Sequence, residues 1–433
     1  MLIKNQWYAI EFGPAVSAAP LKVPVHGHDL VLYRAGDGTV RAQSDLCVHR
    51  GGSLSGGTVI DDCLQCPYHG WRYDGEGRCV RIPANRPDAP IPRKARIDTY
   101  PCVERYGFVW VFLGDAPEPG RPPLPDLAGL DPVPEPRREG YRAVSGAFEW
   151  QANYDRVLEN AVDIAHTPFV HAGSFGNPDE PEIADFDLER THRGDALVGV
   201  TATVDLNPPP PRGTWARVYR SDGERPPVRT TTGFYPPNVS MLIVRPPLGE
   251  IRLYTAAVPI DEHRTISKFW AFRNFLTGSW ADRDSVKRTL KIFAEDRDSV
   301  EGQRPELLPF DLAAELHVKS DSIQLAYRRW RQDCLDRGLG LLTPSDAEAA
   351  RRAAVIASPA RAEDPEMAGA WVFGAIPSGS VPTTADPEPA PGRGTTADPE
   401  TTADPNPGTA ADPGTDPDPE TTADPGTTST EPS

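Results

Sequence analysis

Two short runs constrain this chain more than any bulk property does: Cys47-Val48-His49-Arg50-Gly51-Gly52 and Cys66-Pro67-Tyr68-His69-Gly70-Trp71. Each half carries one thiolate and one imidazole on a segment whose glycines permit tight turns and close backbone approach. Pro67 stiffens the second half. Two such halves can hold a [2Fe-2S] cluster, with Cys47 and Cys66 on one iron and His49 and His69 on the other. Neutral imidazoles in place of two thiolates lower the negative charge on the cluster and make it easier to reduce. Backbone N–H groups in such loops can donate to the cluster sulfurs and tune the potential. A zinc site uses the same residue types, but zinc-finger spacing sets the cysteines together and the histidines together. Here each half mixes the two.

A second constellation lies downstream, Asp163-x2-His166-x4-His171. Asp163 and His166 are three apart, which predicts a shared helix face. Pro168 disfavours continued helix at Thr167. His171 can then curl back toward His166 from the following turn. Two imidazoles and a carboxylate form a facial triad that leaves positions on Fe(II) open for O₂ and substrate. The alternative is an ordinary pair of histidines near a helix end. The upstream motif weighs against it, because a cluster that shuttles electrons needs an acceptor.

Between and around the motifs the chain reads as α+β. Residues 1 to about 115 are β-rich, with LVLYRA, VRAQS and RYGFVWVFLG as strands. Proline-dense text from Pro117 to Pro136 reads as a linker. A helical pattern runs from near Trp150 to Pro168, strand-like alternation fills 185–275, and helices return at Asp284–Gln303 and across DSIQLAYRRWRQDCL. These boundaries give an expected division into 1–116, a linker at 117–140, 141–345, a C-terminal extension at 346–376 and a tail at 377–433. The tail repeats TTADP from Thr383, Thr395, Thr401 and Thr421 and lacks large apolar residues, which predicts disorder.

The net charge is −17, so phosphate backbones are poor partners and no nucleic acid is expected. No run approaches a membrane span, and MLIKNQWYAIEF has no signal-peptide pattern, so the expected location is cytoplasmic. Six cysteines in a reducing compartment suggest metal binding rather than a disulfide framework, with Cys63, Cys79 and Cys102 as free thiols.

C-x-H-R-G-G and C-P-Y-H-G-W resemble the Rieske domain of ring-hydroxylating and demethylating oxygenases. Respiratory Rieske proteins carry two further loop cysteines that form a disulfide; Gly52 and Tyr68 stand there in this chain. The Asp163/His166/His171 motif resembles the iron site of the same oxygenases. So do Glu104–Asp115 and His317–Trp330, and the likeness spans roughly residues 5 to 340. It is strongest to the vanillate-demethylase and phthalate-dioxygenase branch, and it extends to hydroxylases that tailor small nitrogenous natural products, such as those of the saxitoxin pathway. The resemblance implies an all-β Rieske domain followed by an α+β helix-grip catalytic domain.

It also implies a downstream carboxylate as third iron ligand. Asp296 is assigned within Ala294–Glu301, with Glu295 and Asp298 as competitors on a solvated helix face. Asp163 and Asn160 are the candidate catalytic residues beside it, and Asp163 is expected to reach a neighbouring protomer's cluster-ligating histidine in a homotrimer. The implied reaction is O₂-dependent hydroxylation or oxidative demethylation of a small aromatic or alkaloid-like substrate. Electrons would come from a separate NAD(P)H-dependent reductase or ferredoxin, since no dinucleotide fingerprint and no plant-type ferredoxin cysteines are present. Two rival readings are an arene cis-dihydroxylating dioxygenase α subunit and a pure electron carrier, which would not need Asp163, His166 and His171. Trp215, Phe234, Tyr235, Met241, Tyr254 and Trp270 are candidates for a pocket wall, or for core.

Overall fold

The computed structural model describes residues 1–127, 140–209, 226–342, 353–367 and 369–380. The remaining linker residues, Trp215 and the TTADP tail lie outside them.

The N-terminal lobe is built from short antiparallel strands: β1 (Gln6–Phe12), β2 (Leu21–Val25), β3 (His28–Arg34), β4 (Val40–Ser44), β5 (Thr58–Ile60), β6 (Cys63–Gln65), β7 (Arg72–Tyr73), β8 (Cys79–Arg81), β9 (Thr99–Tyr100), β10 (Cys102–Arg105) and β11 (Phe108–Leu113). They form three small sheets, ordered β1-β11-β10, β2-β3-β4-β9 and β5-β6-β7-β8. The run RYGFVWVFLG is a hairpin corner rather than one strand. Tyr106 (φ 57°) and Gly107 (φ 75°) take left-handed conformations between β10 and β11, the backbone that a two-residue turn with the right twist requires.

The second lobe is a seven-stranded antiparallel sheet in the order β12-β18-β17-β16-β15-β14-β13. Its strands are β12 (Arg142–Trp150), β13 (Glu189–Arg193), β14 (Ala196–Leu206), β15 (Val228–Tyr235), β16 (Val239–Arg245), β17 (Ile251–Pro259) and β18 (Thr265–Arg273). One face carries the helices α1 (Tyr154–Val162), α2 (Thr167–Val170), α3 (Asp282–Glu301) and α4 (Ser322–Asp336). The other face packs on the N-terminal lobe. Tyr235, Met241, Tyr254 and Trp270 share one core with Tyr8, Trp110 and Val111. These four pocket candidates therefore lie on the face away from the helices, and only Phe234 points to the helix side, against α1 and α4. Side-chain period two decides this, since a strand residue and its neighbour face opposite ways.

Polar contacts fix the two lobes. The buried Asn238 amide accepts from Ala9 N at 3.1 Å and donates to Ala9 O at 2.8 Å, next to a bulge in β1 between Ala9 and Glu11. Lys268 pairs with Glu11 at 2.5 Å. On the helix side, Arg328 of α4 grips Glu159 of α1 at 2.5 Å and Glu315 at 2.6 Å. Removing one partner of such a buried group costs about 3–5 kcal/mol, so α4 holds α1 in place.

Beyond α4, Gly340–Leu341 (β19) pairs with Ser378–Gly379 (β22), so the folded chain continues past the expected tail boundary at 377. Between them in the chain, Ala354–Val355 (β20) and Gly374–Ala375 (β21) form a parallel pair, and the short helix α5 (Ala360–Glu363) lies between these two strands in sequence.

Candidate metal centres

The two Cys/His loops are near copies. In each, the backbone N–H of a cysteine donates to the residue five on, Cys47 to Gly52 at 2.9 Å and Cys66 to Trp71 at 2.8 Å. In each, a glycine four on donates back, Gly51 to Cys47 at 2.8 Å and Gly70 to Cys66 at 3.1 Å. Both glycines are left-handed, at φ 67° and 69°, where a side chain would be strained. Cys47 and Cys66 are buried and free of any disulfide. The His49 and His69 rings lie 4.5 Å apart by centroid. His49 Nδ1 is buried with no hydrogen-bond partner among the described residues, as an iron ligand would be before loading.

Three features of this site were not singled out from sequence. Trp71 stacks on His49 at 4.6 Å and 7°. The Tyr73 hydroxyl contacts Cys47 Sγ at 3.1 Å. His69 is exposed beside Tyr68, which is 66% exposed. A Cβ at Gly52 would lie 3.5 Å from Tyr68 Cβ, which is disulfide spacing. The missing bridge is thus a matter of residue identity, not loop geometry.

The second centre forms where α1 ends. The expected continuous helix does not exist: α1 stops at Val162, and Asp163 is extended at ψ 136°. Its side chain takes the N–H of Ala165 at 2.9 Å, a local bond that competes with helix. Pro168 opens α2 instead of ending a helix, because its missing N–H costs nothing in a first turn. The result still brings the ligands together. His166 Nε2 and His171 Nε2 are 3.3 Å apart, and Asp296 Oδ1 of α3 is 3.4 and 3.3 Å from them. A triangle of that size lets one transition ion sit about 2 Å from every corner. Asp296 is 4% exposed, and its Oδ1 lacks a hydrogen bond among the described residues. The donor set therefore fits a facial triad.

Charge surrounds these ligands. Asp163 Oδ2 faces His166 Nδ1 at 3.3 Å. Burial raises the Asp163 pKa, but His166 outweighs it and leaves the carboxyl below its ordinary value. Burial likewise lowers His171, and Asp296 and Glu295 outweigh it in the opposite sense. Glu295 faces His171 Nδ1 at 2.9 Å, so it lies behind that ligand, not at the metal position. Asn160 touches the group through its backbone, its carbonyl accepting the Asp163 N–H at 3.2 Å.

An N-terminal lobe with mixed Cys/His loops and a helix-covered sheet with a His/His/Asp triangle define a two-centre iron oxidoreductase. The Rieske [2Fe-2S] domain family matches residues 6–101, and the vanillate O-demethylase oxygenase C-terminal domain matches 150–337. The methylxanthine N1-demethylase NdmA of Pseudomonas putida is 30% identical over 73% of this chain and 83% of its own length. The vanillate O-demethylase oxygenase subunit of Pseudomonas sp. (strain HR199 / DSM 7063) is 27% identical over 76% of this chain and 94% of its own. The solved structure of NdmA with caffeine superposes with a TM-score of 0.60 at 26% identity, covering 77% of this chain and 91% of that one. The chain belongs to the Rieske non-haem iron oxygenases, in the vanillate O-demethylase branch. It is an oxidoreductase that carries a [2Fe-2S] cluster and a mononuclear non-haem iron, and its relatives work as oxygenase components with a separate reductase or ferredoxin.

Proposed function

We propose that this oxygenase hydroxylates, or oxidatively demethylates, a small aromatic or alkaloid-like substrate at the triangle of His166, His171 and Asp296, drawing electrons from a cluster held by Cys47, His49, Cys66 and His69. The observation that carries the reading is the convergence of three ligand atoms from two elements on one buried point. A pure electron carrier has no use for such a point. Loaded with iron, the site supplies O₂ activation, in which two electrons and two protons put one oxygen atom into a C–H bond and turn the other into water. A hydroxylated N- or O-methyl group then leaves as formaldehyde. The substrate class rests on the relatives, which are named for methylxanthine, vanillate and dicamba demethylation.

The same proposal divides the chain into a Rieske domain at 1–116, a linker at 117–140 and a catalytic domain at 141–345, and places it in the cytoplasm. No helix among the described residues is long and apolar enough to cross a membrane. It includes a homotrimer in which Asp163 bridges His166 and a neighbour's His69, with Asn160 supporting Asp163. The exposure of His69 and the 24% exposure of the Asp163 side chain support that bridge, because both ends are open to a partner.

The test is O₂ uptake with NAD(P)H and a surrogate reductase, run across methylated aromatics and alkaloids. Substrate-dependent O₂ consumption with formaldehyde or a hydroxylated product is expected. Cluster turnover with no oxygenated product from any methylated or unmethylated ring would contradict the reading.

A further inference from the structure

We propose that Glu295 is a positioning residue that fixes the tautomer and ring angle of His171, and is not itself an iron ligand. The inference rests on the iron-site reading above. Glu295 and Asp296 are consecutive on α3, so their side chains leave the helix about 100° apart. Asp296 turns into the ligand triangle, while Glu295 Oε2 meets His171 Nδ1 at 2.9 Å. With Nδ1–H donated to that carboxylate, the lone pair of His171 Nε2 is the one left facing the triangle.

The Glu295 carboxylate is itself held. Its Oε1 accepts from Ser174 Oγ at 2.5 Å and pairs with Lys291 Nζ at 3.2 Å, and Lys291 donates to Ser174 Oγ at 2.7 Å. Lys291 lies one helical turn before Glu295 on α3. Ser174 belongs to the turn after His171, with its N–H on His171 O at 2.8 Å. Glu295 thus ties the turn that carries one ligand to the helix that carries another. Phe175 stacks on the face of the His171 ring at 4.7 Å, so the imidazole is held by edge and by face. Each iron histidine has its own carboxylate, Asp163 for His166 and Glu295 for His171. Only the second is braced by a lysine and a serine.

The experiment uses the full chain with its cluster in place and the mononuclear site emptied by chelation. Fe(II) affinity is measured by titration, and Co(II) is added separately to read the ligand field. Glu295→Ala should weaken Fe(II) binding by about 10–100-fold and alter the Co(II) absorption bands, with the cluster EPR signal unchanged. Glu295→Gln keeps an acceptor and should recover much of the affinity. Wild-type affinity and an unaltered Co(II) spectrum in Glu295→Ala would overturn the inference. So would loss of all Fe(II) binding in Glu295→Ala with retention in Asp296→Ala, which would make Glu295 the ligand. If the wild-type chain takes up no iron beyond its cluster, the iron-site reading itself fails.

Discussion

Asp163 has two jobs in this structure, and they separate experimentally. One carboxylate oxygen holds Ala165 N and so shapes the turn before His166, while the other faces the His166 ring. Asparagine keeps an oxygen for the first job and loses the charge for the second. Asp163→Asn should bind both metals and reduce its cluster normally, yet turn over about 10–100-fold more slowly. Single-turnover oxidation of the pre-reduced cluster with substrate and O₂ checks this, and near-normal rates would remove Asp163 from the electron path. At this scale the proposed ligands could be picked out in the sequence because metal chemistry dictates residue type and spacing. Asp296 was not legible from spacing, since Glu295, Asp296 and Asp298 share one stretch and only the helix rotation of α3 separates them. The role of Glu295 depends on a contact with a turn more than a hundred residues away.

Elements were read well where periodicity is strong. The alternation in VGVTATVDL, NVSMLIVRPP, IRLYTAAVPI and TISKFWAF corresponds to β14, β16, β17 and β18. Strand β12 was missed because its middle, Ser145-Gly146-Ala147, is small and weakly apolar; Gly146 is needed where Phe269 of β18 crosses, a Cβ there falling 2.6 Å from the ring. Tyr235, Met241, Tyr254 and Trp270 lie in the core, the commoner place for aromatic residues on strands; which sheet face they take was not readable, because alternation fixes relative but not absolute orientation.

The turn between β2 and β3 carries a buried histidine, His26. His26 is left-handed at φ 51°, and its N–H and that of Gly27 donate to Pro259 O and Ile260 O of the other lobe at 2.8 and 2.6 Å. Both ring nitrogens are buried without a partner among the described residues. Burial pushes its pKa down to about 3, helped by the N-terminal amine and His28 and opposed by Asp155 and Asp261. A free histidine titrates near 6.5, so between these values the unfolded chain holds a proton that the folded chain refuses. This stability is fully present above about pH 6.5 and is lost as pH falls below it. His26→Asn, which tolerates the left-handed backbone, should lose less stability than wild type between pH 7 and pH 5. Urea midpoints at the two pH values measure it, and parallel losses would contradict the assignment.

At the scale of the whole molecule, the described residues between 353 and 380 pack on the N-terminal lobe. Buried Asp98 accepts Ser358 N at 3.0 Å, Ser358 Oγ at 2.8 Å, and Arg361 Nε and Nη2 at 2.7 Å each. Trp371 is covered by Arg96 and Arg361, at 5.2 and 4.6 Å, and Val372 and Phe373 pack on the core that holds Cys47 and Cys66. A chain ending at Ser380 should keep the wild-type thermal midpoint and its cluster. Ending it at Leu342 strands Asp98, which costs about 3–5 kcal/mol, and should lower the midpoint and loosen the cluster. Equal midpoints for the two truncations would show that the segment contributes nothing. Its composition gave no warning of this role, since short strands and a four-residue helix leave no periodic signal.

The central claim, two iron centres in one chain with ligands divided as described, is met most directly by counting metal and sulfide. The purified full chain, loaded with iron, should hold about three irons and two acid-labile sulfides. Asp296→Ala should hold about two of each and keep the EPR signal of a mixed Cys/His cluster. Zinc in place of sulfide, or about three irons retained in Asp296→Ala while Asp298→Ala loses one, would contradict the account.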